Sequence, residues 1–198
     1  MPAITPAREA ANRQSILTAA EELYDEKPFS DITLGDIAAR TSLSRPSVYN
    51  YFSSKEEIFL ALLTQEQQLW AEDLRNINPK KANTIKKVAN AFAKTLEKRD
   101  LMLKILALNV YDMQNDMSIE VLADFEKQHW DASVAAFEVV RACLPDIPAK
   151  KADDFVRLLF PFIFGLYPYS HYTESQLEAM KIAELPIEPT SVRKLASW

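Results

Sequence analysis

Arg45, Ser47, Tyr49, Asn50 and Tyr51 fall close together and carry the groups that read a DNA groove. Arginine and asparagine pair with base edges, and serine and tyrosine hydrogen-bond phosphates or bases. Pro46 and the tyrosines offer apolar contact to thymine methyls. Such a set works when one short helix carries it into the major groove and a second helix braces the first.

The flanking residues supply both helices. Thr33 is an N-cap, and Asp36 three residues on lies near the positive end of the helix. Ile32 and Ile37 have the spacing of a hydrophobic staple. The pattern then repeats. Ser44 is a cap, Leu43 and Val48 hold the staple positions, and Pro46 falls in the first turn, where its missing N–H costs nothing. The spacing predicts a helix over Thr33–Arg40, a turn over Thr41–Leu43 and a second helix over Ser44–Tyr51. Ile37, Ala38, Leu43, Val48 and Phe52 face inward in this reading, and Arg45, Ser47, Tyr49, Asn50 and Tyr51 face outward. The geometry is that of a helix-turn-helix.

Charge is distributed in keeping with this. The chain of 198 residues has a net charge of -5, and residues 1–60 hold six Lys or Arg against nine Asp or Glu. Yet Ile37 to Lys55 contains Arg40, Arg45 and Lys55 and no acid. A locally basic face is kept clear on an acidic protein, so DNA binding is expected to be salt-sensitive with a modest non-specific component.

The rest of the chain reads as helix. Gly35 and Gly165 are the only glycines, poor material for hairpins, and prolines punctuate long periodic stretches. About nine helices are expected in an all-α fold. After a disordered tail over residues 1–7, one helix runs from Arg8 to Glu26 and is ended by Pro28. A long helix starts at Ser53 or Ser54, each with a glutamate three residues on, and breaks at Asn76–Lys81. Further helices span Ala82–Glu97, Leu101–Met113, Ser118–Leu144, Ala149–Tyr167 and Glu174–Glu184, with an irregular tail after Leu185. The long helix after Ser54 links an N-terminal helix-turn-helix domain, residues 1–55, to residues 56–198.

No apolar leader opens the sequence, and the longest apolar run, Leu158–Tyr169, is proline-broken and shorter than the ~20 residues a bilayer requires. With a single cysteine, Cys143, the expected location is the cytoplasm, with no membrane partner. Cys143 near the end of an amphipathic helix is read as packing rather than as an oxidant sensor.

The motif Phe29…Thr33-x-x-Asp36-Ile37-Ala38, then Leu43-Ser44-Arg45-Pro46-Ser47-Val48-Tyr49-Asn50-Tyr51-Phe52, then Ser54-Lys55-Glu56-x-Ile58 resembles the TetR family of bacterial transcriptional regulators. The resemblance covers the first quarter to third of the chain. It implies that Arg45, Pro46, Ser47, Tyr49 and Asn50 form the recognition surface and that Thr33, Tyr51 and Lys55 touch phosphates. Tyr49 and Tyr51 have the alternative of packing the small three-helix core. Two departures stand out: Pro28 and Ser42 occupy positions where family members carry glycine. Proline cannot take the left-handed conformation, whereas Ser42 is expected to take it at a small cost.

The resemblance also implies that residues 56–198 dimerise and hold a small-molecule effector. Phe155, Leu158, Leu159, Phe160, Phe162, Ile163, Phe164, Leu166, Tyr167 and Tyr169 make a helix apolar nearly all round, which needs cover on more than one side. A homodimer interface is expected at Phe155, Leu159, Phe162, Ile163 and Leu166, joined by Leu177 and Met180 from the following helix. Met102, Leu106, Tyr111, Met113, Phe125, His129, Trp130, Phe137 and Phe164 are candidates for a pocket taking an apolar or aromatic effector. The same residues would equally make an ordinary core.

The expected function is a repressor released from a palindromic double-stranded DNA operator by an effector. The alternative is a protein-binding adaptor that keeps the fold without sequence-specific DNA binding, which the acidic N-terminal balance favours and the acid-free face opposes. Neither an enzyme, a cofactor nor a metal site is expected. No catalytic triad or glycine-rich phosphate loop is visible, and His129 and His171 lack ligand spacing.

Overall fold

A computed structural model describes residues 5–115, 117–187 and 190–196, the side chain of residue 112 excepted. The described residues form eleven α-helices and one 3-10 turn, with no strand among them. Their bounds are α1 Pro6–Glu26, α2 Leu34–Ala39, α3 Arg45–Tyr49, α4 Lys55–Arg75, α5 Ile85–Leu96, α6 Asp100–Leu108, α7 Val110–Asn115, α8 Ile119–Cys143, α9 Ala149–Ser170, α10 Glu174–Ile182 and α11 Val192–Ala196. The turn spans Phe29–Asp31.

The all-α expectation is met, with two elements beyond the expected nine. The helix expected over Leu101–Met113 divides at Asn109, whose carbonyl accepts from Met113 N while its side chain accepts from Tyr24 Oη at 2.5 Å. The tail expected to be irregular contains α11, which packs on α5 and α9. Thr5 caps α1, so that helix starts at Pro6, inside the stretch expected to be disordered. Residues 1–4 and Pro189 lie outside the described residues.

Two compact units divide the chain. One comprises Met1–Gln65 with Asn109–Glu126, the other Glu66–Leu108 with Lys127–Trp198. In the first, α1 packs on α2 and α2 on α3. Ile16, Leu17, Ala20, Leu23, Tyr24, Ile32, Ile37, Val48, Phe52 and Phe59 form its core. The rings of Tyr24 and Phe29 both meet Phe59 edge-on, at 5.1 and 5.0 Å.

In the second unit, Trp70 is fully buried, and its indole N–H donates to Thr95 Oγ1 at 3.0 Å. Thr95 in turn donates to the Phe92 carbonyl. Phe160 lies edge-on to both Trp70 and His129. On α8, Ala132, Ala135, Ala136, Val139, Val140 and Cys143 are the buried set. Burial raises the Cys143 thiol pKa, in keeping with a packing role.

Helix α9 has two faces. Ala152, Val156, Leu159, Ile163 and Leu166 are buried, whereas Phe155, Leu158, Phe162, Phe164 and Tyr169 are exposed. Pro161 and Pro168 lie inside the helix, so the carbonyls of Arg157 and Phe164 one turn earlier have no helical N–H to accept from.

Replacing Thr95 by valine keeps the shape but leaves the Trp70 N–H without its acceptor. Thr95→Val is expected to cost about 1–3 kcal/mol, read as a lower chemical-denaturation midpoint with an unchanged slope.

Candidate nucleic-acid interface

The helix-turn-helix forms as its caps dictate. Thr33 and Asp36 make a reciprocal capping box on α2, in which Asp36 N donates to Thr33 Oγ1 and Thr33 N donates to Asp36 Oδ2. Ile32 and Ile37 are both buried, as the staple requires. Ser44 caps α3, accepting from Ser47 N, and Pro46 sits in the first turn. Ser54 caps α4 by accepting from Glu57 N, while the Glu57 carboxylate reaches one residue further back, to Ser53 N. Of the inward set, Ile37, Ala38, Val48 and Phe52 are buried and Leu43 is half-buried.

The outward set divides in two. Arg45, Pro46, Tyr49 and Asn50 are exposed, Tyr49 at 47%, with Ser47 half-buried beside them. Arg45 has no carboxylate partner among the described residues. Tyr51 instead turns toward α1, where its hydroxyl accepts from Asn12 Nδ2 at 2.9 Å. Beside it, the Arg13 guanidinium lies 4.2 Å from the Phe52 ring centre. Asn12 and Arg13 thus flank the recognition helix although they gave no signal in the sequence, being 39 residues from it in the case of the Asn12–Tyr51 bond.

The residues expected to touch phosphates are engaged within the unit. Thr33 Oγ1 donates to Asp36 Oδ2 at 2.8 Å. Lys55 Nζ donates to the carbonyls of Phe29 at 2.8 Å and Ser30 at 3.3 Å, and it lies 4.4 Å from the Phe29 ring centre. Arg40, counted among the bases of the acid-free stretch, pairs with Glu26 and Glu22 of α1. This bond holds the Glu26 carboxyl below the usual range. Of the three bases between Ile37 and Lys55, Arg45 is the one whose charge is left unneutralised by a carboxylate or carbonyl. The positive face is narrower than the sequence count suggests.

The glycine replacements resolve simply. Lys27 and Pro28 follow α1 in extended conformations, and the Lys27 N–H closes the helix on the Leu23 carbonyl. Ser42 does not take the left-handed conformation expected of it. Among the described residues Glu184 alone, outside glycine, has a positive φ. A turn held by Thr41 Oγ1, which donates to Ala38 O and accepts from Leu43 N, makes that conformation unnecessary.

Outside this motif the expected residues scatter. Met102, Leu106, Met113 and Phe125 are buried, and His129 and Phe137 are half-buried. Tyr111 and Trp130 are surface residues, exposed at 74% and 71%, and Phe164 is also exposed. Trp130 stands five residues from the buried Phe125, about 1.4 turns at ~3.6 residues per turn, and so falls on the opposite face of α8. An apolar cleft of about 330 Å³ does exist in the second unit, lined by Phe92, Leu96, Phe155, Leu158, Phe162 and Leu195 among others. None of the expected pocket residues line it. Of the expected dimer residues, Phe155 and Phe162 are exposed, Leu177 and Met180 are half-buried, and Leu159, Ile163 and Leu166 face the protomer's own core.

A capped two-helix motif with exposed Arg, Tyr and Asn on its second helix, in an all-helical chain, defines a DNA-binding transcriptional regulator. Residues 16–62 match the family described as bacterial regulatory proteins, tetR family, and residues 64–190 match the tetracyclin repressor-like C-terminal domain. The chain belongs to the TetR family.

HTH-type transcriptional regulator EthR of Mycobacterium tuberculosis is 45% identical over 49 residues, which are 25% of this chain and 23% of EthR. HTH-type transcriptional regulator QacR of Staphylococcus aureus is 32% identical over 60 residues, 30% of this chain and 32% of QacR. The alignments therefore span a quarter to a third of these relatives. A TetR transcriptional regulator from Rhodococcus sp. RHA1 shares the fold with a TM-score of 0.54 at 18% identity, covering 88% of this chain and 94% of that one. The fatty acid degradation regulator FadR from Bacillus halodurans does so with a TM-score of 0.57 at 11% identity, covering 87% and 93%. No helix among the described residues is long and apolar enough to cross a membrane.

The capping network gives a pH signature. Hydrogen bonds from Lys27 and then from the Thr33 side chain and backbone lower the Asp36 pKa from 3.8 to about 2. A lowered folded-state value means that the stabilisation is present above about pH 4 and is lost as pH falls through about 2. Asp36→Asn should lower the melting temperature at neutral pH, and the gap to wild type should close as both are measured toward pH 2.

Proposed function

We propose that this protein is a homodimeric repressor that binds a palindromic operator through α3 and is released by a small apolar or aromatic effector. The observation that carries the reading is the exposed set Arg45, Pro46, Tyr49 and Asn50 on a short capped helix, with Arg45 free of any carboxylate partner among the described residues. Arg45 and Asn50 read base edges, and Tyr49 offers thymine contact and a hydroxyl. Thr33, Tyr51 and Lys55 serve the phosphate backbone while they hold the motif together. Lys55 and Ser47 complete the contact surface from its two sides.

The homodimer forms through the exposed stripe of α9, where Phe155, Leu158 and Phe162 recur at helical spacing. Leu158, exposed at 70%, is its most prominent apolar side chain. Leu177 and Met180 of α10 join at the edge. Two-fold symmetry then matches half-sites about one helical turn, or a multiple of it, apart.

The effector site is proposed in the second unit, which contains the apolar residues Met102, Leu106, Phe137 and Phe160. Gln67 and His129 form a polar pair at 3.1 Å beside the Phe160 ring, and Gln67 Oε1 is buried without a hydrogen-bond partner. Such an acceptor favours an effector bearing a hydroxyl or amide donor. The effector shifts the dimer away from the operator-competent state through its differential affinity for the two states.

A second reading keeps the fold as a protein-binding adaptor. It is favoured by the engagement of Arg40 and Lys55 within the unit, which thins the basic face. Salt decides between them: a DNA-binding protein loses affinity for random duplex steeply with salt, and an adaptor shows a flat response.

Gel-shift titration against the DNA upstream of the protein's own gene tests the main reading. Arg45→Ala and Tyr49→Ala should each cost about 1–3 kcal/mol of operator affinity. Lys55→Ala should weaken both binding and thermal stability. If Tyr49→Ala and Lys55→Ala bind as well as wild type, α3 is not the recognition helix. For the dimer, Leu158→Glu should sediment near the single-chain mass of 22.5 kDa; an unchanged dimer mass would move the interface elsewhere.

A further inference from the structure

Residues 76–96 contain Lys80, Lys81, Lys86, Lys87 and Lys94 and no acidic residue, in a chain whose net charge is -5. This is a longer acid-free stretch than the one from Ile37 to Lys55, and its lysines lie outside both α3 and the apolar cleft that Phe92 and Leu96 share with α9. Several basic groups elsewhere in the same unit are matched by carboxylates. Arg75 pairs with Asp131, Lys98 and Arg99 with Asp73, Lys150 with Asp154, and Arg157 with Asp153. None of the five lysines has a carboxylate partner among the described residues.

Three of them converge. Lys81, Lys87 and Lys94, with Asn78 and Asn90, line a concavity of about 410 Å³ between the turn after α4 and the outer face of α5. Its floor includes Ala82 and Thr95, both buried. The rim is preset. Asn78 Oδ1 accepts from Lys80 N, which leaves the amide NH2 of Asn78 to donate outward. Lys87 Nζ donates one hydrogen to Asn83 Oδ1 and keeps two. Asn90 is held by its bond to the Lys86 carbonyl.

Ammonium groups gathered around one hollow repel each other, and an anion in the hollow reverses that term. We propose that this concavity binds a small molecule bearing a phosphate or diphosphate group. A single carboxylate matches one ammonium, whereas a phosphoryl group brings about two charges and three acceptor oxygens, enough to engage Lys81, Lys87, Lys94 and the Asn78 amide together. The volume falls within the range of ~300–1,000 Å³ of small-ligand sites. Ile77 and Ala91 beside the lysines give an apolar patch for the body of the ligand. The site does not rest on the operator-binding reading and shares no residue with α3.

Calorimetric titration of the full chain with sodium pyrophosphate, and separately with inorganic phosphate, tests this at low ionic strength. One pyrophosphate per chain is expected, with affinity falling as salt rises. Lys87→Gln with Lys94→Gln should weaken it by roughly tenfold or more, and Lys150→Gln with Lys151→Gln should leave it unchanged. Should the double variant not fold, Lys81→Gln alone carries the same expectation of weaker binding. Wild-type protein that binds no pyrophosphate at millimolar concentration overturns the proposal, as does a double variant that binds as tightly as wild type. So does a double variant whose loss is confined to duplex DNA, which would assign the lysines to the nucleic-acid backbone.

Discussion

The ammonium of Lys55 closes the segment that contains the recognition helix. It donates to two carbonyls 25 and 26 residues earlier and rests on the Phe29 ring, while Phe29 itself leans on Phe59 of α4. Everything between, from the cap at Thr33 to Phe52, is a loop whose two ends are fixed on one aromatic cluster. With the ends fixed, the short α2 and α3 need little stability of their own. Helices of six and five residues are far below the ~12–15 at which isolated helices become marginally stable in water. Their angle is set by where the loop ends are held and by Ile37, Val48 and Phe52 beneath them.

Positive charge near the motif therefore has two uses. Lys27, Arg40 and Lys55 are spent inward on Asp36, on Glu26 and on backbone carbonyls, and they fix the position of Arg45, which faces out. Three of the nine acids of residues 1–60, Asp36, Glu22 and Glu26, are matched locally in this way.

What the sequence made legible was local. Caps, staples and the first-turn proline act over three or four residues, and Thr33, Asp36, Ser44 and Pro46 all stand where spacing placed them. Contacts that cross the chain left no such trace. The Asn12–Tyr51 and Arg40–Glu26 bonds join residues that periodicity treats as unrelated, so spacing alone turns Tyr51 outward and counts Arg40 as a free base. On α8, bulk is no guide to burial: Trp130 is exposed. Ala132, Ala135 and Ala136 pack there beside Val139 and Val140, and their small side chains give little hydrophobic signal but allow close approach. The break at Asn109 lacked glycine or proline, and only the distant Tyr24 hydroxyl explains why that asparagine leaves the helix. Because α9 is apolar nearly all round, its pattern does not distinguish the side of Leu159, Ile163 and Leu166, which faces home, from a side open to a partner.

The two prolines inside α9 shape whatever covers that helix. Each leaves a carbonyl, on Arg157 and on Phe164, without its helical donor, on a side of α9 that also carries the exposed Arg157–Asp153 ion pair. A covering surface made wholly of hydrocarbon would strand both acceptors, so it must bring donors or trap water at two points one helical stretch apart. Contacts hydrated in this way tolerate small slips of one helix along another without opening a dry void. A cover over that side would thus be less like a weld than like a lubricated bearing.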